Sequence, residues 1–102
     1  MTREYTISRS QWNGIEIEIR WNADYLVYDD RTHMAHLEVV SVSPKRAPLP
    51  ITETGYRSHF TPKAAMDGYD SAEAFVEAWL DHESRSPQWK AFDQANRQLL
   101  LF

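Results

Sequence analysis

The chain has 102 residues, of which 42% are hydrophobic, and it contains no cysteine; its formal net charge at pH 7 is −4. This length predicts one domain with a hydrophobic core, and the lack of cysteine excludes disulfide scaffolds, thiol nucleophiles and cysteine-ligated zinc. The negative charge disfavours direct binding of nucleic acid, and without a long apolar window or an apolar N-terminal leader we expect a cytoplasmic protein that does not enter the membrane.

The first half of the chain has the pattern of an antiparallel meander. Residues 14–21 alternate apolar and charged side chains, and Asn13–Gly14 is a strong hairpin signal, so residues 5–12 are predicted as the partner strand. The apolar parity of residues 5–12 changes at Trp12, which predicts a bulge. Further strands are predicted at three places: 24–28, 33–43 and, after a proline-rich connector, 51–60.

The second half is predicted to be mainly helical. Thr61–Pro62 has the pattern of a cap and first residue of a short helix, and Asp70 with Glu73 forms a variant capping box before a longer one. Ser86–Pro87 begins a second long helix. The chain is therefore predicted to be an α+β domain, with an antiparallel sheet of four or five strands and two C-terminal helices packed on one face. The tryptophans, at strand and helix spacing, are predicted to belong to the core.

The last five residues, Gln-Leu-Leu-Leu-Phe at 98–102, place apolar side chains on several sides of any continuing helix, because successive residues rotate by about 100°. One face cannot bury all of them. Residues 1–97 are therefore predicted to form the domain, and residues 98–102 either a linear motif that binds a partner or a tail that leaves the helix and packs on the domain.

This pentapeptide resembles the bacterial sliding-clamp-binding motif, whose pattern is Gln-Leu-x-Leu-Phe. The resemblance implies that Gln98 is a polar anchor, that Leu99 lies on a shallow shelf, and that Leu101 and Phe102 enter an apolar groove of the clamp. Leu100 stands where that family commonly has serine or aspartate. The implied partner is the processivity clamp of a DNA polymerase.

A second candidate site lies in the segment 52–60. On an extended strand, Glu53, Arg57 and His59 share one face, and this acid, guanidinium and imidazole could bind an anion or perform acid–base catalysis. The alternative is structural: Arg57 pairs with an acid across the sheet and His59 lies at a partly solvated edge.

The segment ITETGYRSHF, together with the Ala-Trp-Leu-Asp step in the following helix, resembles small uncharacterised bacterial proteins of plasmids, phages and other mobile elements. The likeness covers approximately the second half of the chain. It implies no known activity, but it makes a role in replication, maintenance or host manipulation plausible.

The histidines do not predict a metal site, because His33 and His36 point to opposite faces of a strand, and no cofactor is expected. The leading hypothesis is a non-enzymatic interaction module that binds the sliding clamp through residues 98–102. One alternative is a mobile-element protein that inhibits a host defence or nuclease complex through its sheet face. A second alternative is a small enzyme that uses Glu53, Arg57 and His59.

Overall fold

Four antiparallel strands form one sheet in the order β1-β2-β3-β4, and helices follow in the sequence. The computed structural model describes residues 4–99, and the side chains of residues 4–96. The elements are β1 (Thr6–Trp12), β2 (Ile15–Val27), β3 (His33–Ser43), β4 (Tyr56–Pro62), a 3-10 turn (Lys63–Met66), α1 (Ala72–Glu83) and α2 (Pro87–Leu99). The predicted α+β meander with two C-terminal helices is confirmed.

The β1–β2 hairpin forms where Asn13–Gly14 predicted it, and both residues have positive φ, 51° and 82°. The bulge predicted in the first strand is wrong. Strand β1 pairs without interruption from Thr6 opposite Trp21 to Trp12 opposite Ile15. The parity change has another cause: Ile7 points away from the core and is 61% exposed, whereas Trp12 packs against the core.

The separate strand predicted at 24–28 is the end of β2. A register shift between Asn22 and Leu26 lets β2 bend without a turn, and the side-chain oxygen of Asn22 accepts a hydrogen bond from the Asp24 backbone N–H (3.2 Å). No glycine or proline lies between Trp21 and Asp24 to break the strand. The sheet consequently has four strands.

The fourth strand begins at Tyr56, five residues later than predicted, and continues through Thr61 and Pro62. Residues 51–55 are not part of the strand. Leu49 and Thr52 exchange backbone hydrogen bonds of 2.8 and 3.0 Å across a turn, and residues 53–55 lead from this turn into β4. Pro62 is therefore the last residue of an edge strand, a position that tolerates its missing N–H. Pro62 does not begin an α-helix, because the element directly after it is the 3-10 turn Lys63–Met66.

Helix α1 covers one face of the sheet. The connector between β3 and β4 is residues 44–55. Val76 and Leu80 are fully buried and join a core formed by alternate residues of β2 and β3 and by two residues of the connector, namely Ile17, Ile19, Leu37, Val39, Leu49 and Ile51. The cap of this helix is Ser71, whose hydroxyl accepts from the Ala74 N–H at 3.1 Å, so the predicted Asp70 cap is wrong by one residue.

Helix α2 begins, as predicted, after Ser86, whose hydroxyl accepts from the Trp89 N–H at 3.1 Å. Its main contact is aromatic: the rings of Trp89 and Trp12 lie 6.0 Å apart. Over residues 87–96 no side chain of α2 is buried, and Phe92 is 40% exposed. This part of the helix thus adds no buried side chain to the core, although Trp89 and Phe92 line clefts beside the connector.

Candidate functional site

The C-terminal pentapeptide begins in the last turn of α2, where the backbone of Gln98 and Leu99 is helical. The side chains of these two residues, and all of Leu100, Leu101 and Phe102, lie outside the described residues. The predicted clamp-binding residues Gln98, Leu99, Leu101 and Phe102 therefore stay a prediction. The described part of α2 that leads to them has mostly exposed side chains.

The second predicted site is divided by the structure. Arg57 and His59 share the helix-covered face of β4, as predicted, but Glu53 precedes the strand in the connecting turn. The Arg57 guanidinium lies over the Trp79 ring, 5.6 Å from its centroid. The His59 ring stacks on Phe75 (6.2 Å) and contacts Trp79 (4.8 Å). Catalysis by Glu53, Arg57 and His59 stays a prediction, with two of the three groups held against aromatic rings.

Burial of His59, with smaller effects from the nearby Arg57 and His36, lowers the pKa of its imidazole below the usual 6.5. Between that lowered value and pH 6.5 the unfolded chain binds more protons than the folded chain, so stability must fall as the pH falls. We expect the urea midpoint of unfolding to decrease between pH 7 and pH 5.5, and the decrease to be smaller in His59→Gln. Equal pH dependence of the two proteins would contradict this assignment.

Glu53 and Arg57 both line a cleft of about 560 Å³ between the connector, β4 and the start of α2. The connector supplies Pro48 and Ile51, and α2 supplies Trp89 and Phe92. The wall of the cleft is mixed, because the hydroxyl and amide residues Thr52, Ser58, Ser86 and Gln88 line it together with the apolar and aromatic residues.

The face of the sheet opposite α1 has a continuous ladder of charged side chains. Arg9 contacts Glu16 (2.9 Å) and Glu18 (3.3 Å), and Arg20 bridges Glu18 (2.7 Å) to Glu38 (3.8 Å). The hydrogen bond from Arg20 lowers the pKa of Glu18. At the end of the ladder the Tyr56 hydroxyl donates to Glu38 at 2.6 Å. The charges of this surface are therefore largely neutralised by one another.

Beside the ladder lies an aromatic cluster centred on His36, which is only 8% exposed. The His36 ring stacks on Phe60 at 4.3 Å and contacts Tyr25 at 5.2 Å. Both of its nitrogens have partners: Nδ1 lies 2.7 Å from the Tyr5 hydroxyl and Nε2 lies 2.7 Å from the Ser58 hydroxyl. Burial, followed by the nearby Glu38 carboxylate, raises the pKa of Tyr5. This network did not emerge from the sequence, because it requires the β3–β4 register.

The remaining histidines confirm that His33 and His36 diverge. His33 Nδ1 lies 2.6 Å from an Asp24 carboxylate oxygen, which also accepts from Lys63 at 3.1 Å. Among residues 4–96 no three histidine, aspartate or glutamate side chains are grouped as metal ligands would be.

Within the same part of the chain, no helix has both the length and the apolar composition that a membrane crossing demands.

The fold and these surfaces define a small meander domain with one face covered by a helix and one open face. A family model described as the KlcB third domain matches residues 5–89, so the chain belongs to the KlcB third domain family. That match includes the whole sheet and α1 and ends at Trp89, before the pentapeptide. No curated protein and no solved structure matched the chain in the comparisons.

Proposed function

We propose that the chain is a plasmid-associated accessory protein that acts by binding other proteins, and that residues 98–102 bind the sliding clamp of the DNA polymerase. Membership of the KlcB third domain family supports the plasmid association, and so does the mobile-element resemblance of approximately the second half of the chain. The clamp proposal rests on the pentapeptide pattern.

The exposure of α2 supports the clamp proposal, which the pentapeptide pattern carries. None of its side chains over residues 87–96 is buried, and its backbone continues as helix to Leu99. A pentapeptide with four apolar side chains at the end of such a helix is in a position where a partner protein can bind it. Burial of Leu101 and Phe102 in a partner groove would contribute about 1.5–3 kcal/mol for each side chain.

Binding in an extended conformation requires Gln98 and Leu99 to leave the last helical turn. This rearrangement costs little, because the final carbonyl groups of a helix have no intrahelical partners and helix ends fray. Over residues 87–96, the described part of α2 that precedes this turn, no side chain is buried.

The proposal is tested with a labelled peptide that comprises residues 94–102 and a purified bacterial sliding clamp. We expect an increase in fluorescence polarisation at low-micromolar to mid-micromolar clamp, competed by the unlabelled full chain. The matched control peptide carries Gln98→Ala and Phe102→Ala and is expected to bind at least about tenfold more weakly, since a loss of 1.4 kcal/mol is tenfold. No binding at high-micromolar clamp would remove the proposal.

A second candidate function uses the open face of the sheet. Ile7, Tyr56 and Phe60 are 61%, 45% and 53% exposed there, beside the neutralised charge ladder. Such a surface fits the inhibition of a host defence or nuclease complex. If the open face inhibits the host complex, the double variant Ile7→Ser with Phe60→Ser should abolish inhibition, and removal of residues 98–102 should leave inhibition intact. If inhibition is lost only when residues 98–102 are removed, the pentapeptide is the inhibitory segment.

A further inference from the structure

The polar network around His36 contains the parts of a nucleophilic site, and we propose that Ser58 is a reactive serine activated by His36, with esters of good leaving groups as the substrate class. This inference goes beyond the proposed interaction function. It starts from the 2.7 Å contact between the Ser58 hydroxyl and His36 Nε2, which is the distance at which a base can take the hydroxyl proton.

The second contact of the imidazole sets its orientation. His36 Nδ1 lies 2.7 Å from the Tyr5 hydroxyl oxygen. When Nδ1–H donates to that oxygen, Nε2 is unprotonated and accepts the hydrogen bond from the Ser58 hydroxyl. The stacked Phe60 ring, 4.3 Å away, holds the imidazole plane. Tyr5 is therefore a positioning residue, in the role that a carboxylate plays in many serine hydrolases.

The edge of the sheet supplies one donor for a developing oxyanion, the backbone N–H of Ser58; the next outward N–H, that of Phe60, lies about 6.4–6.8 Å along the strand, too far to donate to the same oxygen. The Ser41 N–H donates to the Gly55 carbonyl at 2.7 Å. If the β3–β4 register is continued by one pair beyond Val40 and Tyr56, Ser41 lies opposite Gly55, so this is a hydrogen-bonded pair of the ladder. Because bonded and non-bonded pairs alternate in an antiparallel ladder, the N–H groups of Ser58 and Phe60 point away from β3. Strand β4 is an edge strand, so these two N–H groups face outward.

The nucleophile is also accessible. Ser58 is exposed, whereas its base His36 is 92% buried. Side chains alternate along a strand, so the Ser58 hydroxyl lies on the open face of the sheet with His36, opposite the face that Arg57 and His59 share. An ester carbonyl can therefore approach the hydroxyl from the solvent on the open face. Acyl transfer requires a nucleophile hydrogen-bonded to a base that a third group orients, and Ser58, His36 and Tyr5 supply these contacts.

The reaction balances without any cofactor. The Ser58 oxygen forms a bond to the carbonyl carbon while its proton moves to His36 Nε2. The bond from the carbonyl carbon to the leaving oxygen then breaks, and that oxygen takes the proton from the imidazolium. In the second half-reaction, His36 Nε2 takes a proton from water as the water oxygen attacks the acyl–Ser58 ester. The bond from the acyl carbon to the Ser58 oxygen then breaks, that oxygen takes the proton back from the imidazolium, and the acid is released.

The test uses the full chain with p-nitrophenyl acetate, with p-nitrophenol release followed by absorbance and the acetylated residue located by peptide mass spectrometry. We expect acetyl on Ser58 and at least about a 100-fold lower rate in His36→Gln, the smaller end of what general-base catalysis contributes. Tyr5→Phe should lower kcat and leave KM unchanged. The matched control is Ser10→Ala, a strand serine whose hydroxyl instead contacts Glu77 at 2.9 Å, and its rate should equal that of the unmodified chain.

A second measurement stays informative if His36→Gln fails to fold. The chain has no cysteine, so Ser58→Cys and Ser10→Cys each carry a single thiol. We expect iodoacetamide to alkylate Cys at position 58 at least about tenfold faster at pH 7, because the imidazole can take the thiol proton. Equal alkylation rates, or p-nitrophenol release that persists in Ser58→Ala, would overturn the proposal.

Discussion

Replacement of Gly55 by alanine should destabilise the protein by about 2–5 kcal/mol. Gly55 has φ of +79°, a conformation that costs an L side chain about 1–2 kcal/mol. A Cβ at this position would also lie 2.6 Å from the Arg46 Cα and 2.7 Å from its carbonyl carbon. These are backbone atoms that cannot rotate away, so overpacking adds about 1–3 kcal/mol.

The position of Gly55 explains why this clash matters. Its carbonyl accepts from the Ser41 N–H at 2.7 Å, and the Ser41 hydroxyl donates to the Ala47 carbonyl at 2.6 Å. The close approach therefore fixes the connector against the end of β3. The matched control is Gly14→Ala: Gly14 also has positive φ, +82°, but nothing lies within 4 Å of its would-be Cβ. Gly14→Ala should cost only about 1–2 kcal/mol in urea unfolding; an equal loss in both variants would contradict the packing argument.

Leu80→Ala should destabilise the protein by about 2–5 kcal/mol. Leu80 is fully buried and, with Val76, is one of the two residues through which α1 enters the sheet core. The truncation removes apolar contacts and leaves a cavity that the surrounding sheet side chains can fill only in part. In a domain of this size each kcal/mol lowers Tm by about 4–8 °C.

Phe92→Ala is the control for Leu80→Ala, because Phe92 is a large apolar helix residue that is 40% exposed. It should lower Tm by much less than Leu80→Ala in the same thermal unfolding experiment. A loss at Phe92 as large as at Leu80 would mean that α2 contributes to stability far more than its exposed side chains indicate, and it would weaken the argument that its end is available to a partner.

Most of the sheet could be predicted from local sequence patterns. The hairpin at Asn13–Gly14, the alternation of β2 and the extent of β3 each follow from turn chemistry and period-two burial. One error arose where a long-range contact overrides local preference. Residues 51–55 have a strand-like composition, but the approach of Gly55 to Arg46 and the Leu49–Thr52 bridge hold them in a turn.

The candidate sites were predictable to different degrees. Arg57 and His59 lie on one face because side chains alternate along any strand, and this required no knowledge of the fold. Glu53 falls outside that strand because β4 begins late. The Tyr5–His36–Ser58 network joins residues from β3, β4 and the segment before β1, so only the strand order and register could bring these three side chains together.

The most direct test of the clamp proposal compares the full chain with a chain that ends at Arg97, on immobilised sliding clamp. The truncation leaves the sheet, α1 and most of α2 in place, and equal Tm values would establish that both chains are folded. We predict that the full chain binds at micromolar concentration and that the truncated chain shows no binding at tenfold higher concentration. Equal binding of the two chains, or no binding of the full chain, would contradict the assignment of clamp binding to residues 98–102.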